Sequence, residues 1–324
     1  MASLPTRIQI NEEGPREGFQ FEKGDIPTAR KIELIDSLSR TGIDHIRIVS
    51  FVNPKRVPGM ADAEEVVAGF DKRPGIHYEA LWLNQQGFER ALALRDRLYV
   101  RGTVSLCASE PFLQRNQNRD FAQNIAAGHE AMQMYRQHGV DVKRASLMAV
   151  FGCNFAGDVP VAQVLSTVAD AKAVAASGGF TLDRLTLADS MAWATPASVK
   201  RVVGAVQDAH PELALTLHLH DTRGMAIACA YAGMEMGVAS YDASVGGLGG
   251  CPFAGHKGAA GNICTEDLVF MCDEMGIATG IDLEALAETG RLAEDIVGHP
   301  LPGAVMRGGS LRRLREKVRE AQAA

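Results

Sequence analysis

Residues 218–224 read HLHDTRG, which sets His218 and His220 one residue apart. On a β-strand, residues i and i+2 point to one face with α-carbons roughly 6.6 Å apart, a gap that two imidazoles can close onto one ion. Two hydrogen-bonded barrel histidines would show the same spacing, so the pair alone leaves both readings open. Leu217 and Leu219 alternate with them and face the covering helices. A third ligand would decide more, and the carboxylate of Glu17 and the amide oxygen of Asn262 are the candidates. Two imidazoles with oxygen donors suit Mg2+ or Mn2+ better than structural zinc, which favours thiolates.

Such residues need a scaffold that brings them together. Short β-rich runs are predicted near residues 7–11, 45–50, 77–83, 98–106, 144–151, 184–189, 213–220 and 240–246. Between them lie amphipathic segments such as TARKIELIDSLSRTG and TPASVKRVVGAVQDAH, several ending at Gly and some beginning after Thr, Asp or Pro, as helix stop and start signals do. This alternation predicts an α/β fold, a (β/α)8 TIM barrel over residues 1–290, with a short C-terminal helical extension over 291–324. A doubly wound sheet is the rival. It would carry a glycine-rich phosphate loop after the first strand, and NEEGPREGFQ is not GxGxxG.

In a barrel, chemistry collects where strands end and the following loops begin. There stand Glu12, Arg16 and Glu17 after the first strand and Arg47 and Ser50 on the second. Asn84 closes the third, Ser109 and Glu110 follow the fourth, Asp189 ends the sixth, and His218 and His220 end the seventh. The eighth runs into GGLGGCPFAGHKGAAGN.

Composition narrows the function. A chain of 324 residues is comfortable for one barrel. Its formal net charge of −6 argues against nucleic acid as a partner, because binding a phosphate backbone needs a concentrated cationic footprint. The basic cluster of Arg307, Arg312, Arg313, Arg315 and Arg319 is terminal, with Glu316 and Glu320 interleaved; it reads as a solvated closing helix or as an anionic-ligand or subunit contact. Six cysteines without a CxxC pair give no disulfide framework and fit a reducing, cytoplasmic setting. No apolar run is long enough to span a membrane, and the first residues form no secretory signal.

The stretches EEGPREGFQ, SFVNPKRVPGMAD, HLHDTRG, GGLGGCPFA and GNICTEDL together resemble the 3-hydroxy-3-methylglutaryl-CoA lyase family of TIM-barrel metallolyases, from about residue 7 to about residue 290. HxHDT is shared with a wider group that includes isopropylmalate and homocitrate synthases, while GGLGGCP and SFVxPKxVPxM look like the lyase branch. The resemblance implies a divalent metal held by His218, His220 and Asn262, with Glu17 where the family has Asp. It implies that Arg16 stabilises the enolate oxygen of the leaving acyl group and that Cys251 moves protons from a mobile loop. Asp189 matches a polar active-site position, and Arg144 and Asn116 or Asn118 sit in similar regions. The implied reaction is cleavage of a tertiary 3-hydroxyacyl-CoA to an acyl-CoA and a keto acid, and the implied assembly is a homodimer. A synthase running the condensing direction and a non-catalytic acyl-CoA-binding barrel are the alternatives.

Three departures from the family pattern bear on the acid end of the substrate. Glu17 carries one methylene more than Asp, which moves the carboxylate by about 1.3 Å against an Mg2+ shell that wants ligands near about 2.1 Å. Arg47 stands where the family has a catalytic-site glutamate, followed by Ile48 and Val49 in place of threonines. A buried guanidinium needs a partner, so Arg47 is expected to pair with Glu17 or to meet a substrate carboxylate. The loop CPFAGHKGAAGN is longer than expected and carries His256 and Lys257, either against an acidic substrate or CoA phosphates or at a solvent-facing tip.

Overall fold

The computed structural model describes residues 4–22, 25–250 and 261–323. Eight strands form one sheet: β1 (Gln9–Glu12), β2 (His45–Phe51), β3 (His77–Trp82), β4 (Gly102–Cys107), β5 (Val142–Met148), β6 (Arg184–Ala188), β7 (Ala214–His218) and β8 (Ser240–Ala243). The order is β3-β2-β1-β8-β7-β6-β5-β4, and every ladder is parallel. With helices packed on the outside, this is the (β/α)8 barrel expected from the alternation of patterns.

The strands obey the period of two with an uncommon result. Their outward residues, among them Ile10, Ile46, Val104, Leu147, Leu187, Leu217 and Tyr241, are buried against the helices. The inward residues Asn11, Arg47, Glu79, Thr103, Arg144, Thr216 and Asp242 line a cavity of about 370 Å³. Barrel interiors are usually filled by branched apolar side chains. Here short hydroxyls and long charged groups leave the lumen open.

Among the described residues no ladder joins β3 to β4. The gap is crossed by one backbone bond, Tyr99 N–H to Tyr78 O at 2.7 Å, and by Glu79 of β3, which pairs with Arg101 (2.6 Å) and Arg144 of β5 (2.7 Å). An acid inside the barrel therefore ties its seam.

Most strand boundaries differ by one to four residues from the sequence-based expectation, the largest shift at the start of β4. Strand formation at β4 begins at Gly102 instead of residue 98. The helix Leu283–Val297 runs through the 290/291 boundary, burying Thr289, Gly290 and Ala293, because its apolar stripe continues across that point. The last helix, Leu311–Ala323, buries no residue. Arg315 pairs with Glu274 and Arg313 with Glu284 at its surface.

Candidate active site

The site is built where β1, β7 and β8 end. β1 stops at Glu12, and Gly14–Gly18 (GPREG) turn as one π-helical turn whose residues are all buried. Glu12 anchors that turn: its Oε1 accepts the N–H groups of Gly14 (2.7 Å) and Val245 (2.9 Å), and its Oε2 accepts the Thr265 hydroxyl (2.7 Å). A Cβ at position 14 would lie 2.6 Å from Glu12 Oε1, so the approach requires glycine. π-Helical turns occur often at functional sites, and this one delivers Arg16 and Glu17 to the barrel mouth.

His218 is the last residue of β7, and His220 lies just beyond it, bridged antiparallel to Asn262. The bonds Ile263 N–H to Leu219 O and Asp221 N–H to Gly261 O, both 2.9 Å, fix the two chains around that bridge. The seventh strand is thus shorter than 213–220, yet both imidazoles still face one point. Glu17 Oε1 stands 3.8 Å from His220 Nε2, Glu17 Oε2 stands 3.9 Å from His218 Nε2, and the two Nε2 atoms are 3.2 Å apart. One ligand atom from each of Glu17, His218 and His220 lies within 4.8 Å of the others, so the group could hold a metal ion. Asn262 donates its amide to Glu17 Oε2 at 2.8 Å. Its Oδ1 is buried and finds no hydrogen-bond partner among the described residues. An acceptor left unmade in a dry site is costly, and a cation beside Glu17 and the imidazoles would satisfy it. The donor set fits a hard divalent ion.

Residues behind the ligands tune them. Asp242 of β8 binds His218 Nδ1 at 3.1 Å and accepts an N–H from Asn11 at 2.8 Å, the carboxylate–imidazole arrangement that orients metal-binding histidines. Burial pushes the Glu17 carboxyl up, but the charges of Arg16, His218 and His220 outweigh it and hold the group well below the usual range. Burial also pushes Asp242 up, and its bond to His218 with the charges of His218 and Arg47 brings it down. Both acids are anions facing the site.

Arg16 Nη2 meets Glu13 Oε2 at 2.5 Å and Glu17 Oε2 at 3.2 Å. Its Nε is buried and unpartnered among the described residues, a donor still open to an incoming oxygen. Arg47 does not pair with Glu17. Its Nη1 lies 2.6 Å from Glu13 Oε1, and its Nη2 lies 3.5 Å from Glu79 Oε2. The reason is register: Arg47 stands directly opposite Glu79 in the β2/β3 ladder, and the turn after β1 swings Glu13 into the lumen while Glu17 faces the histidines. Burial pulls the Arg47 pKa down, and the charges of Glu13 and Glu79, followed by those of Asp242 and Glu17, raise it above its usual value.

Asp189 is buried, with Oδ1 accepting the N–H of Trp193 (2.7 Å) and Oδ2 that of Ala194 (3.0 Å). It braces the loop after β6, whose Ala188 and Ser190 line the cavity. Burial pushes its pKa up. Asn116 lines the cavity, whereas Asn118 is the left-handed residue that ends the helix Glu110–Gln117. Asn84 and Ser109 cap helices. Cys251, His256 and Lys257 lie outside the described residues.

Three site residues escaped the reading of the sequence: Glu13, Glu79 and Asp242. Two of them had a visible signal. Glu79 in HYEALW and Asp242 in SYDA are lone acids at inward positions of otherwise buried strands.

A (β/α)8 barrel with a Glu/His/His group at its strand ends defines a class of metal-site barrels. The HMGL-like family model matches residues 7–293, and the chain belongs to that family. It is 40% identical over 288 residues to the mitochondrial hydroxymethylglutaryl-CoA lyase of Gallus gallus, covering 89% of this chain and 93% of the relative. It is 39% identical over 296 residues to the 3-hydroxy-3-isohexenylglutaryl-CoA/hydroxy-methylglutaryl-CoA lyase of Pseudomonas aeruginosa, covering 91% and 95%. A solved HMG-CoA lyase from Acinetobacter baumannii, in complex with coenzyme A and 3-methylmalate, superposes with a TM-score of 0.83 at 37% identity, covering 96% of this chain and 97% of that one.

Proposed function

We propose that this chain is a metal-dependent carbon–carbon lyase that cleaves HMG-CoA, or a related tertiary 3-hydroxyacyl-CoA, into acetyl-CoA or another acyl-CoA and a keto acid. The observation that carries the reading is the Glu17–His218–His220 group beside Asn262 Oδ1, which finds no hydrogen-bond partner among the described residues. Glu17, His218, His220 and Asn262 would hold a divalent ion, Mg2+ or Mn2+, which when bound would supply Lewis acidity toward the substrate 3-hydroxyl. The residues around it do the rest. Asp242 holds the His218 ring in one orientation, and Arg16 offers Nε to the oxygen of the leaving acyl enolate, where developing charge is best met by a donor already in place. Cys251, by its position in the family-like GGLGGCP stretch, returns a proton to the enolate carbon. Asp189 serves by bracing its loop.

Phe21, Leu81, Leu83, Phe112 and Met148 line the cavity together with its polar groups, which supports a branched acyl substrate with an apolar arm. The substrates for which the relatives are named, one with a methyl branch and one with an isohexenyl branch, define the panel to test. The same reading includes a homodimer in the cytoplasm. No helix among the described residues is long and apolar enough to cross a membrane.

The test is acetyl-CoA release by the purified protein from HMG-CoA and from 3-hydroxy-3-isohexenylglutaryl-CoA, with Mg2+ or Mn2+ and again after chelation. Metal-dependent cleavage of either is expected. A protein that binds no divalent ion and cleaves no branched 3-hydroxyacyl-CoA would overturn the reading.

A further inference from the structure

We propose that Arg47 is a positioning residue for Arg16, acting through Glu13; the inference rests on the reading that Arg16 meets the enolate oxygen. Glu13 is shared. Its Oε2 lies 2.5 Å from Arg16 Nη2 and its Oε1 lies 2.6 Å from Arg47 Nη1, with its side chain 1% exposed. Arg47 is balanced in turn by Glu79, which Arg101 and Arg144 also grip. The charges therefore alternate along Glu17, Arg16, Glu13, Arg47 and Glu79 across the barrel mouth.

The alternation decides what Arg16 has left to give. A buried carboxylate needs a counter-ion. Without Arg47, Glu13 would have Arg16 alone, and Arg16 already faces Glu17 at 3.2 Å. Two anions on one guanidinium would leave little positive charge for a third. With Arg47 holding Oε1, Glu13 reaches Arg16 through one oxygen, and both carboxylates meet the same nitrogen, Nη2. The guanidinium is pinned at that end and its Nε stays open. Arg47 touches neither Glu17 nor the imidazoles at ion-pair distance. Its one direct link to Arg16 is Glu13.

Arg47→Met removes the charge and keeps most of the volume. It is expected to lower kcat for the substrate cleaved by the wild type by about 10- to 100-fold, less than the loss of a direct oxyanion donor, with KM changed less than about threefold. Arg47→Lys, which keeps the cation, should stay within about fivefold of wild type. Adding Glu13→Gln to Arg47→Met should recover kcat, since the anion that captures Arg16 is gone; this non-additivity marks action through Glu13. A crystal structure of Arg47→Met should show both Glu13 oxygens turned onto Arg16. An unchanged kcat, additive losses in the double variant, or an unaltered Glu13–Arg16 pair would each overturn the proposal. If the wild type cleaves no branched 3-hydroxyacyl-CoA, the lyase reading fails, while the crystal structure still decides whether Arg47 sets the position of Arg16. Should Arg47→Met not fold, Arg47→Gln carries the test: it should lower kcat and turn both Glu13 oxygens onto Arg16, and an unchanged kcat or an unaltered Glu13–Arg16 pair would overturn the proposal.

Discussion

The two sides of the barrel mouth use the same residue types to opposite ends. Around β1, β7 and β8, the nearest approaches of Glu17 to the two imidazoles are 3.8 and 3.9 Å, and Asn262 Oδ1 has no hydrogen-bond partner among the described residues. Around β2 to β5, Glu13 and Glu79 touch Arg16, Arg47, Arg101 and Arg144 at 2.5 to 2.7 Å, apart from the longer Arg47–Glu79 contact. One side is spaced to receive an ion, and the other already contains its counter-ions. The lesson is that charge type alone does not distinguish a binding site from a structural lock. Spacing and leftover hydrogen-bonding capacity do.

The largest expected effect strikes the closed side. Glu79→Gln leaves three guanidinium groups in the lumen without their shared anion and cuts the tie across the β3/β4 gap. It should cost about 3–5 kcal/mol in denaturant unfolding, as loss of one partner of a buried pair does. The acid response sharpens the point. Burial pushes the Glu79 carboxyl up, but Arg144, Arg47 and Arg101 bring it down to about 2, below its ordinary 4.5. A depressed folded pKa contributes stability above the ordinary value and loses it as pH falls toward about 2, an effect of about 3 kcal/mol. Wild type should therefore weaken from pH 5 downward, and Glu79→Gln should show a flatter acid limb in the same urea titrations.

Next comes the open side. His220→Ala should raise the Kd for Mn2+ at least about 100-fold by calorimetry, beyond what loss of an outer partner costs, with little change in melting temperature when metal is absent. Similar metal affinity in the variant would show that the group is not a ligand set. Asp242→Asn keeps the shape but removes the anion behind His218, and a loss of about 10-fold in metal affinity is expected. Far from both sides, Arg315→Ala breaks an exposed pair with Glu274 and should leave the melting temperature and activity unchanged within error. A clear drop there would mean that the last helix supports the barrel.

Much of the fold was legible because strand and helix periods are local. The alternation of eight β-rich runs with amphipathic segments predicted the barrel, and the HLHDTRG motif at a strand end pointed to His218 and His220 before any contact was known. The ends of elements were less clear. Residues 98–101 are as β-rich as those that follow, yet the ladder to β5 begins at Gly102. Nothing local marks where a neighbour strand takes over. Of the two partners expected for Arg47, the structure does not make the pair with Glu17, for a related reason: Glu13 has the right direction from the turn and Glu79 the right register.

By itself, then, the sequence determined the alternation that makes a barrel, the residue types available for a metal and an oxyanion, and the family motifs that carry them in order. Only the tertiary structure decided which acid meets which base. Pairing between strands is non-local, and a shift of one residue turns a side chain to the other face. Glu13, Glu79 and Asp242 acquire their roles through that pairing and through the π-helical turn, and so Arg47 is countered by Glu13 and Glu79 while Glu17 stays with the histidines.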